Sequence, residues 1–218
     1  MKKLILLASL GMLCVAGQVH AQLGKGTRYW GTTVNFSGNN QKYDYTADQK
    51  YRTNSVDINP TLTTGWFIAD NRMFGLSLTA NLAFYKNKSQ NFGTEQASDG
   101  AGLAFNLSPF IRHYKSINPK WALFLDTGLN LAYLRTKDSN GETNRYENGY
   151  STGIFVEPGI SYWITPRFSL ESNVNVLYLA LNYTSMNDAN RVILSSNINT
   201  SLSQYFGIKA SWYLQKAN

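Results

Sequence analysis

The sequence predicts an all-β protein: an eight-stranded antiparallel up-and-down transmembrane β-barrel. Three observations carry that expectation. Apolar and polar residues alternate one by one over long segments, a hairpin repeat is punctuated by prolines, and short and long connections follow one another strictly.

The alternation is clearest from Phe74 to Phe84. Even positions read Phe74, Leu76, Leu78, Ala80, Leu82 and Phe84, and the odd ones between them Gly75, Ser77, Thr79, Asn81 and Ala83. Successive side chains of a strand point to opposite faces, so a period of two means a strand with two unlike faces. The same grammar returns with Trp121, Leu123, Leu125, Leu129, Leu131 and Tyr133 against Ala122, Asp126, Gly128 and Asn130. It returns again with Phe168, Leu170, Val174, Val176 and Tyr178 against Ser169, Glu171, Asn173 and Asn175.

Upstream of each such strand lies a partner that carries Asn59-Pro60, Ser108-Pro109 or Glu157-Pro158, and these prolines recur 49 residues apart. The repeating unit is therefore a hairpin. Within it the connection is short and made of turn formers: Asp70-Asn71, Ser116 to Pro119, and Thr165-Pro166. Between hairpins, the connections Ser37 to Asn54, Asn87 to Asp99, Thr136 to Asn148 and Thr184 to Asn190 are long and polar and are expected to be loops. A first strand, Thr27 to Phe36, and a last, Ile198 to Leu214, bring the count to eight, an even number that lets the sheet close on itself. Closure matters because hydrocarbon cannot satisfy backbone N–H and C=O groups, so only helices and edge-free barrels span it.

The first residues give the compartment. Lys2 and Lys3 precede an apolar run from Leu4 to Ala16 and then Val19-His20-Ala21, the layout of a secretory signal cleaved after Ala21. The run is shorter than the ~20 residues a spanning helix needs. The expected division is a signal peptide over 1–21 and an outer-membrane β-barrel domain over 22–218, located in a bacterial outer membrane. The one cysteine, Cys14, falls inside the signal, so no disulfide or thiolate site is expected in the exported chain. Losing Lys2 and Lys3 takes the formal net charge from +7 to +5. This excess is compatible with nucleic acid, anionic lipid or no specific partner, and export makes nucleic acid the least expected of them.

Trp30, Trp66, Trp121, Trp163 and Trp212 fall at the short-turn or terminal ends of their strands, and Tyr85, Tyr133, Tyr150, Tyr178 and Tyr183 near the long connections. Two aromatic levels are expected to form the interfacial girdles of a bilayer protein. The polar face carries Asp57, Arg112, Asp126, Glu157, Arg167, Glu171 and Lys209. They are expected to form an ion-pair network that fills the lumen, because an eight-stranded barrel is just wide enough for side chains to fill. A soluble β-sandwich with the apolar face buried between two sheets is the competing architecture. Lys25, Arg28, Arg72, Lys115, Lys120, Arg167 and Lys216 gather at the short-turn rim with Asp70 as the acidic residue there, whereas charges in the long connections nearly balance.

The segment Asn59-Pro60-x-Leu62-x-x-Gly65-Trp66-Phe67 and the following Phe74-Gly75-Leu76, with the signal and the alternating strands, resemble the small bacterial outer-membrane β-barrel family that includes OmpA-type transmembrane barrels and PorT-like proteins. The resemblance spans essentially the whole exported chain and implies the fold. Its members include adhesins, membrane anchors and secretion-associated proteins, so function does not transfer with it.

No catalytic constellation is legible. The exported chain has one histidine, His113, beside Arg112 and Tyr114 at the short-turn end, which reads as an interfacial residue. Lipid-modifying barrel enzymes pair a His with a Ser and an acid. Glu157 and Glu171 could pair for acid–base work but have little room for a substrate. No cofactor, metal site or phosphate loop is indicated. The expected function is a non-enzymatic membrane scaffold whose outer loops mediate interaction or adhesion. Tyr43, Tyr45 and Tyr51, interleaved with Lys42, Asp44, Asp48, Lys50 and Arg52, are the candidate contacts. A small pore or transport protein, or a component of a secretion or assembly machine, is the alternative. Expected partners are outer-membrane lipid including lipopolysaccharide, the barrel-assembly machinery during biogenesis, and an envelope or host-surface protein at the loops.

Overall fold

The alternating segments form strands wherever they are described. The computed structural model describes residues 23–46, 49–91, 94–139, 143–173, 178–186, 189–197 and 208–214. The expected signal over 1–21, the side chains of Tyr45 and Tyr178, Asp48, Val174, Val176 and Lys216 lie outside the described residues.

Ten antiparallel strands make one sheet among the described residues: β1 (Arg28–Thr46), β2 (Gln49–Ala69), β3 (Arg72–Asn91), β4 (Thr94–Ser116), β5 (Trp121–Ser139), β6 (Asn144–Thr165), β7 (Phe168–Asn173), β8 (Tyr178–Met186), β9 (Ala189–Asn197) and β10 (Lys209–Leu214). Eight of them, β1 to β7 and β10, pair in a ring closed by β1 with β10 and by β5 with β6. Along one edge of β6, Gly159–Thr165 pairs with β7 and Gly149–Val156 with β8, while β9 pairs with β8. The expected seventh strand thus corresponds to β7 and β8 together. The described part of the expected last strand is β10.

The short turns are as the sequence anticipates. Asp70-Asn71 joins β2 to β3, and Asn71 takes φ 59°, a left-handed conformation that Asn tolerates. At the β4–β5 turn the Asn118 side-chain oxygen accepts the backbone N–H groups of Lys120 and Trp121, each at 2.9 Å.

The described parts of the long connections are paired strand and not loop. β1 and β2 stay paired out to Thr46 opposite Gln49, β3 and β4 to Asn91 opposite Thr94, β5 and β6 to Ser139 opposite Asn144, and β8 and β9 to Met186 opposite Ala189. Ladder hydrogen bonds use only the backbone, so a polar segment extends a hairpin as well as an apolar one, and Tyr and Thr favour the extended conformation. Polar composition there marks the solvent, not the end of the strand.

The prolines sit inside strands. Pro60 and Pro109 remain in register with the preceding strand, opposite Val34 and Leu76. The ladder to the following strand is interrupted at the same point, between Ile58 and Thr61 and between Leu107 and Phe110. A proline has no N–H to give to one of its two neighbours. Ser108 spans the second gap by donating its hydroxyl to the Asn130 side-chain oxygen at 3.0 Å.

The wall is apolar outside, and its inner side holds the buried charged and hydroxyl groups beside a buried, largely aromatic cluster. Val34 is 66% and Phe36 71% exposed, and Leu62, Leu78, Phe105, Leu107, Leu123, Leu129, Leu131, Ile154 and Leu181 are exposed with them. Arg112, Asp126, Glu171, Thr63, Ser161, Ser169 and Ser211 are buried within the ring. This is the reverse of a sandwich, in which the apolar faces would be the ones covered. Glycines on the inner face open room for rings on the neighbouring strand. Gly75 lies opposite Phe110, Gly159 opposite Phe124, and Gly128 between Phe110 and Phe155. A Cβ on Gly75 or Gly159 would overlap the facing ring.

Candidate functional site

The interior converges on Arg112. Strand register sets it on the inner face of β4 directly opposite Asp126 of β5, which in turn lies opposite Glu157 of β6. The guanidinium is fully buried and grips Asp126 with two parallel bonds, Nε to Oδ1 at 2.6 Å and Nη2 to Oδ2 at 2.7 Å. Its Nη1 donates to Glu171 Oε2 of β7 at 2.6 Å and to Tyr114 Oη at 3.2 Å. One cation is thereby shared by two carboxylates from different strands. The planar fork of arginine suits this, because it presents donors in two directions at once.

Glu171 is satisfied from the other side by tyrosines. Tyr29 Oη donates to its Oε2 at 2.8 Å and Tyr213 Oη to its Oε1 at 2.5 Å. Tyr29 and Tyr213 are themselves opposite each other on β1 and β10, the pair that closes the ring. The Phe124 ring lies under the guanidinium, 3.8 Å from its carbon.

On the short-turn side of this cluster the aromatic rings close a circuit. Phe67 packs on Tyr114 at 5.7 Å between centroids, Tyr114 on Trp163 at 6.3 Å, Trp163 on Tyr213 at 5.9 Å, and Tyr213 on Phe67 at 6.3 Å. The four rings belong, with Leu23, Tyr29, Met73, Phe110, Ala122 and Phe124, to the buried apolar cluster of the interior. The arrangement can block passage and brace the ring. His113 is exposed on the outer face, away from the cluster.

No family model and no curated protein matches this chain.

Of the charges expected in the interior network, Arg112, Asp126 and Glu171 meet. Glu157 and Lys209 lie beside them on the inner face, Glu157 opposite Asp126 and Lys209 opposite Glu171. Asp57 does not join: it lies further along β2, where the Ser37 hydroxyl donates to it at 3.1 Å. Arg167 does not join either. It is exposed in the β6–β7 turn and takes part through its backbone, whose carbonyl accepts the Tyr213 N–H at 2.9 Å. A residue that forms the turn has no inner face to occupy.

Trp30, Trp66, Trp121 and Trp212 point outward as a girdle requires, with Trp66 against Phe74, Trp121 against Tyr162 and Trp212 against Phe168. Trp163 does not, being 1% exposed. It shares the inner face with Gly159 and Ser161, and its neighbour Tyr162 takes the outer position against Trp121. Tyr85 likewise turns to the inner face, where its hydroxyl reaches over Gly100 to bond to Asp138. The inner tyrosines Tyr29, Tyr114 and Tyr213 were not singled out from the sequence, although their odd or even parity relative to Trp30, His113 and Trp212 assigns them to the inner face.

The candidate contact residues separate by face. Tyr43 and Tyr51 are opposite each other and share one face of the β1–β2 hairpin, and Lys42, Asp44, Lys50 and Arg52 take the other. What reads as an interleaved mixture in sequence is two distinct surfaces.

Proposed function

We propose that this chain is an outer-membrane β-barrel of the OmpA-like kind, a non-enzymatic scaffold whose interior is plugged and whose long hairpins present surfaces outside the cell. The observation that carries this reading is the inversion of the wall. Arg112, Asp126 and Glu171 are buried, and Leu62, Leu78, Leu107, Leu129 and Ile154 are exposed around the ring. A contiguous apolar exterior of this extent belongs against lipid, since in water it would aggregate. The aromatic level of Trp30, Trp66, Trp121 and Trp212 at one rim supports the same reading, as does the basic short-turn rim, which suits phospholipid phosphates.

Two measurements test it. In single-tryptophan variants refolded into bilayers with brominated acyl chains, the chain that retains Trp121 is expected to be quenched and the chain that retains Trp163 to stay bright. Absence of quenching in both would reject insertion, and equal quenching would reject the assignment of faces. In planar bilayers, the refolded chain, checked for heat-dependent gel mobility, is expected to be electrically silent. The Phe67–Tyr114–Trp163–Tyr213 circuit and the Arg112 cluster fill the short-turn end, so stable single-channel steps would replace the scaffold reading by a pore.

A further inference from the structure

Tyr85 is expected in the outer girdle from its sequence position, and the place it takes instead is a pocket. Tyr85 of β3, Gly100 of β4, Asp138 of β5 and Arg145 of β6 stand side by side in one row across four strands, on the inner face near the ends of the long hairpins. Gly100 has no side chain, and a Cβ there would overlap the Tyr85 phenol. The tyrosine therefore lies along the wall across β4, anchored through its hydroxyl to Asp138 on the strand beyond. Asn87 and Ser98, opposite each other, are the next inner pair toward the hairpin end. Tyr85, Asn87, Ser98, Asp138 and Arg145 line a pocket of about 410 Å³, within the ~300–1,000 Å³ of ordinary ligand sites. In the row beneath, Ala83 lies opposite Gly102, and a Cβ on Gly102 would meet only Ala83, at 3.5 Å. Small residues keep that stretch of wall clear.

The level of the pocket sets the polarity of its ligand. Phe105, Tyr133 and Tyr150 lie side by side on the outward face and mark the aromatic level nearest the hairpin ends. At ~3.3 Å per residue, Asp138 stands about 16 Å beyond Tyr133 along β5. For a strand tilted by about 45° that is roughly 12 Å further along the membrane normal, beyond the acyl chains. Among the described residues that line the pocket, none is Ala, Val, Leu, Ile or Met. An apolar side chain or acyl chain finds no matching surface there apart from the Tyr85 ring.

The charges of the lining face charges of the chain itself. Asp138 accepts the Tyr85 hydroxyl and stands opposite Arg145, and Arg145 Nε holds Glu147 Oε1 at 2.8 Å. Asp99, also in the lining, stands opposite Lys86. The site therefore does not call for an ion. A guanidinium nevertheless has five N–H donors and a carboxylate about four acceptor positions, more than these contacts use, and an amide and a hydroxyl each donate and accept. Adjacent hydroxyl groups that also donate and accept are the complement of such planar, two-pronged side chains. An aromatic ring with a polar tip adds a surface for C–H groups.

We propose that this inner mouth of β3 to β6 binds a neutral saccharide, with the C–H face of a sugar on the Tyr85 ring and its hydroxyls bonded by Asp138, Arg145, Asn87 and Ser98. It rests on the reading of the long hairpins as the surface-presenting end and names the chemistry they present. The side chains project from paired strands, so their spacing is set before the ligand arrives, which a site on free loops does not achieve.

The test is saturation-transfer NMR and titration on the full chain, refolded in dodecylphosphocholine, a detergent without a sugar headgroup. The probes are maltotriose, cellotriose and triacetylchitotriose, with triglycine as the peptide comparison. At least one trisaccharide is expected to bind saturably, with transfer strongest at its C–H protons. Tyr85→Ala and Arg145→Ala are each expected to weaken it at least tenfold. Tyr51→Ala, an inner-face ring of the β1–β2 hairpin outside the lining, is expected to leave it unchanged. Arg145 is 74% exposed at the lip, so its variant reads the site even where Tyr85→Ala does not refold. No saturable binding of any trisaccharide would overturn the proposal, as would an equal loss in Tyr51→Ala. Triglycine that binds as tightly would overturn the saccharide as the ligand. If the quenching experiment shows no insertion, the membrane reading falls and sugar binding still decides the pocket; insertion without sugar binding removes this inference alone.

Discussion

Replacing Arg112 by alanine is expected to lower the unfolding stability by about 3–5 kcal/mol, the cost of leaving a buried ionic partner uncompensated. The guanidinium is the group that joins Asp126 to Glu171, and both carboxylates are buried with it. Urea-unfolding midpoints of the refolded protein provide the measurement. The informative companion is the triple variant Arg112→Met/Asp126→Leu/Glu171→Leu, in which no charge remains. Desolvating an ion triad consumes much of what its attraction returns, so the triple variant is expected to be far less destabilised than Arg112→Ala alone. An unchanged midpoint in Arg112→Ala would show that the cluster contributes nothing to stability. If the triple variant is hit as hard as the single one, shape and not charge matters there.

Gly159→Ala is expected to cost about 1–3 kcal/mol, a large effect for one methyl group. The added Cβ would fall within the Phe124 ring, which faces Gly159 across the β5–β6 ladder. That ring has nowhere to go: the Arg112 guanidinium sits 3.8 Å above it and Tyr114 packs at 6.0 Å. Glycine opposite an aromatic side chain lets the sheet curve closely around a filled interior. In the Phe124→Leu background, Gly159→Ala is expected to cost far less than it does in the unaltered chain. Additive losses in the cycle would locate the cost in backbone preference and not in the ring.

How much was legible beforehand follows from which interactions have a period. The alternation from Phe74 to Phe84 and from Trp121 to Tyr133 assigned faces correctly, because a strand has no freedom over which side a residue takes once the parity is set. The same rule would have separated Tyr162 from Trp163. Grouping tryptophans by type instead of by parity is what sent Trp163 to the outer girdle. The hairpin ends misled for a different reason. Lys42 to Arg52 is polar, and polarity reports contact with water, which a paired strand beyond the apolar band also has. Arg167 misled because it adjoins a strand of the right parity while lying in the turn.

The sequence by itself determined an all-β chain of paired hairpins with unlike faces, since periodicity, turn residues and proline spacing are local and survive without any knowledge of neighbours. Only the tertiary structure decided which polar residues meet. Arg112, Asp126, Glu171, Tyr29 and Tyr213 come from five strands, and their contacts depend on ring closure between β1 and β10 and on register across strands far apart in the chain. It also decided that Tyr85, Gly100, Asp138 and Arg145 fall in one row. Pairing fixes which residues stand side by side, and that is a property of the sheet and not of any segment in it.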